Sequence, residues 1–360
     1  MPDIVREVAK RLIFHSNLSL EGNSGAVDDA PTRKETTMTL HNISAFTAAA
    51  MLVAAAPTVQ AAWPDDKPIE VVVGFAPGGG TDLMARKLLP FVQKRLGPKA
   101  QFIVVNKPGA AGEIANAHVK QSKADGYTLA VINVPGFLYV PMIKKSQYEP
   151  QDFTLIARVV DDPTLIVTRA DNPVATFAGL LVAMRQQPGA LSFGHNGVGT
   201  NGELALQLLK REAKVEVNAI PYKGTAAQKT DVLGGHLSFG LVSAGEVPEL
   251  HGNGTGQLKA LVQFGETRSS ALPAVPTATE TGTKVTMSSE RGFAAPKGVP
   301  AEIVKRLDMA IAESLRDPEF IATASADAPV LAYLGGDQWQ QSLERNKVAL
   351  RALANAQPKE

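Results

Sequence analysis

The chain has 360 residues, 44% hydrophobic and 20% charged, with 36 basic against 35 acidic side chains and no cysteine. That length holds one large or two ordinary domains with a buried core. A formal charge of +1 argues against a protein built to neutralise phosphate backbones. The absence of cysteine excludes disulfides, thiolate nucleophiles, iron–sulfur clusters and Cys-type zinc sites.

Residues 1–37 carry no sustained apolar period. They are followed by the uncharged run Ile43-Ser-Ala-Phe-Thr-Ala-Ala-Ala-Met-Leu-Val-Ala-Ala-Ala56 and by small residues up to Ala61. An apolar centre of about 7–15 residues closed by small residues is the pattern of a secretory signal. It is too short and too alanine-rich for a membrane span of about 20 strongly apolar residues. The expectation is therefore an upstream extension plus signal peptide over 1–61, with translation starting at Met38 and cleavage near Ala61. The mature chain is expected in the periplasm.

From there the sequence alternates strands and helices. Pro68-Ile-Glu-Val-Val-Val-Gly-Phe75 is a β-branched run bounded by Pro and Gly, the composition of a buried strand. Leu88, Leu89, Val92 and Leu96 then recur at helical spacing. Further strands are expected at 101–106, 128–133, 190–193, 218–222, 237–242 and 258–263, with helices between most of them. Alternation of this kind means right-handed crossovers and a mostly parallel sheet. Two α/β units are expected, joined by crossings at 154–168 and 288–296, with helices at 301–315 and 337–353 closing the chain.

Four small-residue loops each separate a strand from a helix. They are Ala76-Pro-Gly-Gly-Gly-Thr-Asp82, Lys107-Pro-Gly-Ala-Ala-Gly-Glu113, His195-Asn-Gly-Val-Gly-Thr-Asn201 and Lys223-Gly-Thr-Ala226. Such loops emerge at the carboxyl edge of a parallel sheet, where ligands bind. The helices that follow point unpaired N–H groups and the positive end of their dipole into that crevice, which suits an anion. Tight turns and helix caps would explain any one of these loops alone. Neither nucleotide fingerprint fits, because Leu83 stands where the last glycine belongs and no Gly-Lys-Ser/Thr follows. A carboxylate is the expected anion.

The same residues carry a family likeness. Pro68–Phe75 followed by Ala-Pro-Gly-Gly-Gly-Thr-Asp82 and Arg86, together with Asn106-Lys-Pro-Gly-Ala-Ala-Gly112, Asp125-Gly-Tyr-Thr-Leu129, Pro221-Tyr-Lys-Gly224, Asp231-Val-Leu-Gly-Gly235, Leu272-Pro-Ala-Val-Pro-Thr277 and Ala295-Pro-Lys-Gly-Val-Pro300, resembles the substrate-binding proteins of tripartite tricarboxylate transporters. The likeness spans almost all of 66–345. It implies a two-lobed periplasmic binding fold of the Venus-flytrap kind, with 62–165 and 290–360 as one lobe and 166–289 as the other. It implies capture of a small organic carboxylate for a membrane permease, without cofactor or metal. A monomer is expected, closing about its crossings.

Carried over by position, the resemblance implies that Ala76, Gly79, Gly80, Thr81 and Asp82 hold the ligand, and Asn133, Thr200, Asn201, Ser243 and Arg291 complete the expected site. Aspartate beside an anion would repel it, so Asp82 is expected to cap its helix and hold a bridging water. Three positions depart from the family pattern. Glu203 replaces a histidine in Gly199-Thr-Asn-Gly-Glu203, Leu241-Val-Ser243 lacks the family aspartate, and Glu290-Arg291 replaces an aromatic residue. Arg291 can be read as a bidentate partner of a distal carboxylate or as the partner of an acid at the hinge. Lys223 can be read as a cleft residue or a solvated lysine.

Catalysis has little support. His118, His195, His236 and His251 show no metal spacing, and Gly240-Leu-Val-Ser-Ala-Gly245 misses a nucleophile elbow by one residue. Isolated Tyr139, Tyr148 and Tyr222 do not make a nucleic-acid surface. A sensor partner for a receptor kinase and an exported α/β enzyme acting on a carboxylate remain as alternatives.

Overall fold

The computed structural model describes residues 63–250, 256–324 and 330–356. The expected extension, signal and cleavage point near Ala61 lie outside the described residues. Among the described residues, no helix is long and apolar enough to cross a membrane.

The first α/β unit is built on β1 (Ile69–Val73), which pairs in parallel with β2 (Phe102–Asn106) and β3 (Thr128–Val134). All of β1 but Glu70 is buried, which is why the strand reads as an apolar run broken at one position. Val71 and Val73 face one core with Leu88 and Val92 of α1 (Gly80–Leu96) and Leu307 and Ile311 of α7 (Ala301–Ser314). Val72 faces the opposite core with Val119 of α2 (Glu113–Lys120) and Phe137 of α3 (Gly136–Ile143).

The second unit follows the same logic. The strand β5 (Ser192–His195) pairs in parallel with β6 (Asn218–Pro221) and β7 (Phe239–Ser243). Its core includes Phe177 of α4 (Phe177–Gln186), Phe193, Phe239 and Leu209 of α5 (Asn201–Ala213). α6 (Thr225–Leu233) follows β6, and α8 (Pro318–Ala324), after α7, sets Phe320 edge-on against Phe91 of α1.

The 17-residue strand β4 (Phe153–Arg169) belongs to both units. Its first part pairs antiparallel with β9 (Ser288–Pro296) and β10 (Leu331–Gly335), and its second part with β7 and β8 (Leu258–Gln263). The expected crossing at 154–168 is therefore one continuous strand. The expected crossing at 288–296 is displaced: among the described residues, β9 pairs only with β3 and β4 of the first sheet. The chain returns just before it, where Met287 donates to the Phe264 carbonyl and accepts from the Thr164 amide.

Side chains alternate across β9, so Glu290 and Arg291 point to opposite faces. Glu290 is buried against α9 (Gly336–Asn355), where its carboxylate accepts from Trp339 Nε1 (2.8 Å), Asn346 Nδ2 (2.7 Å) and Arg158 Nη1 (3.0 Å). Next to it, Gly292 leaves no room for a side chain, since a Cβ would come within 2.2 Å of the Ala157 carbonyl oxygen. Here β4 and β9 change register, between Leu155 and Ala157 and again between Arg158 and Val160.

Removing one member of a buried charged network strands the others. Glu290→Ala is expected to lower the unfolding free energy by about 3–5 kcal/mol in urea titration. A loss below about 1 kcal/mol, the size of a surface ion pair, would contradict this account of the hinge.

Candidate ligand-binding cleft

Three helices begin at one cavity. α1 starts after Gly79, α5 after Thr200 and α6 after Gly224, and none of these N-cap residues supplies a side-chain cap. Among the described residues, the amides of Gly80, Thr81, Asn201 and Thr225 donate to no protein acceptor. All four residues line a cavity of about 210 Å³. Three positive dipole ends with unsatisfied donors converge here, an arrangement that suits an anion.

Eight of the ten expected site residues line this cavity: Ala76, Gly79, Gly80, Thr81, Asn133, Thr200, Asn201 and Ser243. A polar chain holds several of them. Arg291 Nε donates to Ser289 Oγ (3.4 Å), Ser289 to Asn133 Oδ1 (3.1 Å), and Asn133 Nδ2 to Thr81 Oγ (3.2 Å). The Thr81 oxygen thus accepts inside the wall, leaving its hydroxyl proton for the cavity. Asn201 Nδ2 is used up on Thr164 Oγ (2.7 Å) and Ser243 Oγ (3.2 Å), tying α5 to the hinge strand.

The other two expected residues stand behind the wall. Asp82 is buried and does not cap the first turn. Its carboxylate accepts from the Gly78 amide (2.9 Å), Arg86 Nε (2.9 Å) and Asn106 Nδ2 (2.9 Å), so it shapes the loop. Burial pushes this carboxyl up, but the bonds from Arg86, Gly78 and Asn106 outweigh it and hold the group below its ordinary value. Arg291 is only 1% exposed and pairs with the fully buried Asp162, which also accepts from the Gly245 amide (2.9 Å). Of the two readings of Arg291, the structure shows a buried pair with an acid, Asp162 of β4.

One of the four loops does not reach the cavity. Residues 107–113 pack behind the first loop, close enough that a Cβ on Gly74 would meet Gly112 Cα at 2.6 Å. The site also contains residues absent from the expected set: Asn196, Thr225, Glu246, Ser289 and, at the exposed rim, Lys223. The Lys223-Gly-Thr-Ala226 loop signalled Thr225. Nothing in the local sequence signalled Glu246, which follows β7 in a single helical turn.

The family model for the tripartite tricarboxylate transporter family receptor matches residues 84–350. The chain belongs to that family. Among solved structures, the receptor is similar to the periplasmic binding protein BugD, at 29% identity and a TM-score of 0.72, over 80% of this chain and 96% of that one. It is similar to MatC from Rhodopseudomonas palustris, described with bound malate, at 25% identity and a TM-score of 0.72 over 80% and 98% of the two chains. It is also similar to Rpa4515 from R. palustris, described with adipate, at 28% identity and a TM-score of 0.71 over 81% and 95%.

In this receptor the two units touch across the cleft, and glycine decides how closely. A Cβ on Gly80 would lie 2.7 Å from Glu246 Oε1 and 2.8 Å from Arg291 Nη1, whereas one on Gly79 would meet only the Ala76 oxygen at 3.4 Å. Gly80→Ala is compatible with the helix but wedges the units apart. Its radius of gyration by small-angle scattering is expected to exceed that of the wild type at unchanged helix content, while Gly79→Ala leaves scattering unaltered. Equal radii for Gly80→Ala and wild type would refute the wedge.

Glu203 is half-buried behind the cavity. It accepts from the Gly199 amide (3.3 Å) and from Gln207. Burial raises its carboxyl above the ordinary 4.5, and the Gln207 and Gly199 bonds recover only part of the cost. A carboxyl harder to ionise folded than unfolded costs stability as pH rises above its unfolded value. Glu203→Gln is therefore expected to raise the melting temperature at about pH 7–8, with the gain vanishing below about pH 4.5. A gain independent of pH would contradict this.

Proposed function

We propose that this receptor captures a small organic carboxylate in the periplasm and presents it to the membrane permease of a tripartite transporter. The reading is carried by one observation: three uncapped helix N-termini open into one small cavity. The lobes would be 62–165 with 290–360, and 166–289, closing about β4 and the return at Met287. A carboxylate oxygen at the amides of Gly80 and Thr81 would form charge-assisted bonds of about 1.5–3 kcal/mol each, enough in combination for micromolar affinity. The malate and adipate described in two family neighbours agree with such a ligand. The cavity is smaller than the ~300–1,000 Å³ of drug-sized sites, which favours metabolite-sized acids.

A thermal-shift screen tests the reading. At about 100 times its dissociation constant, a matching acid adds about 2.7 kcal/mol to stability. Organic acids should raise the melting temperature, and their methyl esters, which lack the anionic charge, should not. Equal shifts from acid and ester, or no shift from any acid, would overturn it.

A further inference from the structure

β4 and β9 run between two cavities, of which the cleft is the smaller. The second lies behind β9 and holds about 650 Å³, against about 210 Å³ in the cleft. Side chains alternate along a strand, so β4 and β9 each serve both spaces. Ser289 lines the cleft and Arg291 meets Asp162 beneath it, whereas Ser288, Glu290, Asp161 and Pro163 line the cavity behind.

The two walls of the rear cavity belong to different units, and each is fastened to its own. One wall is α9, which contributes Arg345 and Ala349 and is tied to β9 where Trp339 and Asn346 donate to Glu290. The other is the turn 265–270 that follows β8. It is held by the fully buried Gln263 of β8, whose Oε1 accepts from the Ser269 amide (2.7 Å). Gln263 Nε2 donates to the carbonyls of Leu272 (3.1 Å) and Val275 (2.6 Å). Walls that move with their own units, on the side of β4 and β9 away from the cleft, approach each other as the cleft opens.

Those walls carry opposite charges. Arg345 stands exposed on α9 and Glu266 stands exposed on the turn, and both line the cavity. Neither has an ion-pair partner among the described residues. The other two arginines of the cavity are already engaged: Arg158 with Asp161 (3.3 Å) and Glu290 (3.0 Å), and Arg268 with Glu280 (2.9 Å). Attraction between charges on two approaching walls is strongest where the gap is narrowest. Resting on the lobe closure of the proposed function, we propose that the rear cavity is the counterpart of the cleft. It narrows as the cleft opens, and attraction between Arg345 and Glu266 stabilises the open receptor. Affinity at the cleft is thereby set in part from outside it, because a ligand that requires the closed form binds more weakly as the open fraction grows.

The chain has no native cysteine, so spin labels can be attached at two chosen positions alone. Lys94→Cys and Glu212→Cys place them on exposed residues near the far ends of α1 and α5. Pulsed electron–electron distance measurement on the full, unliganded receptor then reads the spacing of the two units. Arg345→Glu, which sets like charge against Glu266, should shift the distribution toward shorter distances. Thr267→Glu, which sets a second acid on the turn opposite Arg345, should shift it toward longer ones. The ratio of long to short distances is expected to change by about two- to fivefold, the scale of a solvent-exposed ion pair. Arg345→Glu combined with Glu266→Arg should return the wild-type distribution. Ala349→Trp, which fills the cavity, should also shorten the distance, whereas Val348→Trp, at a neighbouring residue 75% exposed and outside the cavity lining, should not. The inference is overturned if neither charge variant moves the distribution, or if either moves it the opposite way. It is also overturned if the charge swap keeps the shift of Arg345→Glu, or if Val348→Trp acts like Ala349→Trp. No ligand enters this experiment, so unchanged distances remove this inference and leave the carboxylate reading, whereas a failed acid screen removes that reading and leaves the distances to decide this one.

Discussion

The unpaired amides at the starts of α1, α5 and α6 are the constraint around which this molecule is arranged. Backbone donors removed from water require a partner, and here the chain withholds the usual ones. Two of the N-caps are glycine, and Thr200 turns its hydroxyl to the Gly197 carbonyl (2.6 Å) instead of the helix. The acidic residue of the first turn of α1, Asp82, faces backward to Gly78, Arg86 and Asn106. Each alternative partner is thus occupied elsewhere, and the donors remain for a ligand.

Keeping those donors at one point requires the two sheets to stay in register, which is the task of β4 and the pairs around it. β4 runs through both sheets without interruption. Arg291 and Asp162 pair beneath the cavity, and Asp162 also holds the Gly245 amide in the turn that carries Glu246. The polar chain from Arg291 through Ser289 and Asn133 to Thr81 then links the hinge to the first helix. On the other face of β9, Glu290 fastens the strand to α9 through Trp339 and Asn346. One strand with alternating faces therefore serves the cleft on one side and the C-terminal helix on the other.

Much of this was legible in the sequence, and the exceptions share a cause. Buried parallel strands advertise themselves as runs such as Ile69–Val73, and strand-to-helix loops by their glycines, so both units and most of the cavity wall could be read locally. The crossing at 154–168 could be placed, but not that it forms one unbroken strand paired in both sheets, because its charged centre Arg158, Asp161 and Asp162 is buried only by those distant partners. The role of Arg291 depended on Asp162, 129 residues away, and its charge alone fitted a ligand equally well. Glu246 was hidden for the same reason: it reaches the cavity through a fold-level approach to Gly80, and an acid contradicts the local logic of an anion site. The loop at 107–113 has the right composition but the wrong neighbour, being pressed behind Gly74.

The most direct measurement is amide hydrogen exchange by NMR with and without saturating ligand. The account predicts that the amides of Gly80, Thr81, Asn201 and Thr225 exchange freely in the unliganded receptor and slow by at least tenfold when the ligand is bound. Protection of these amides before any ligand is added, or ligand-induced slowing confined to other parts of the cleft, would contradict it.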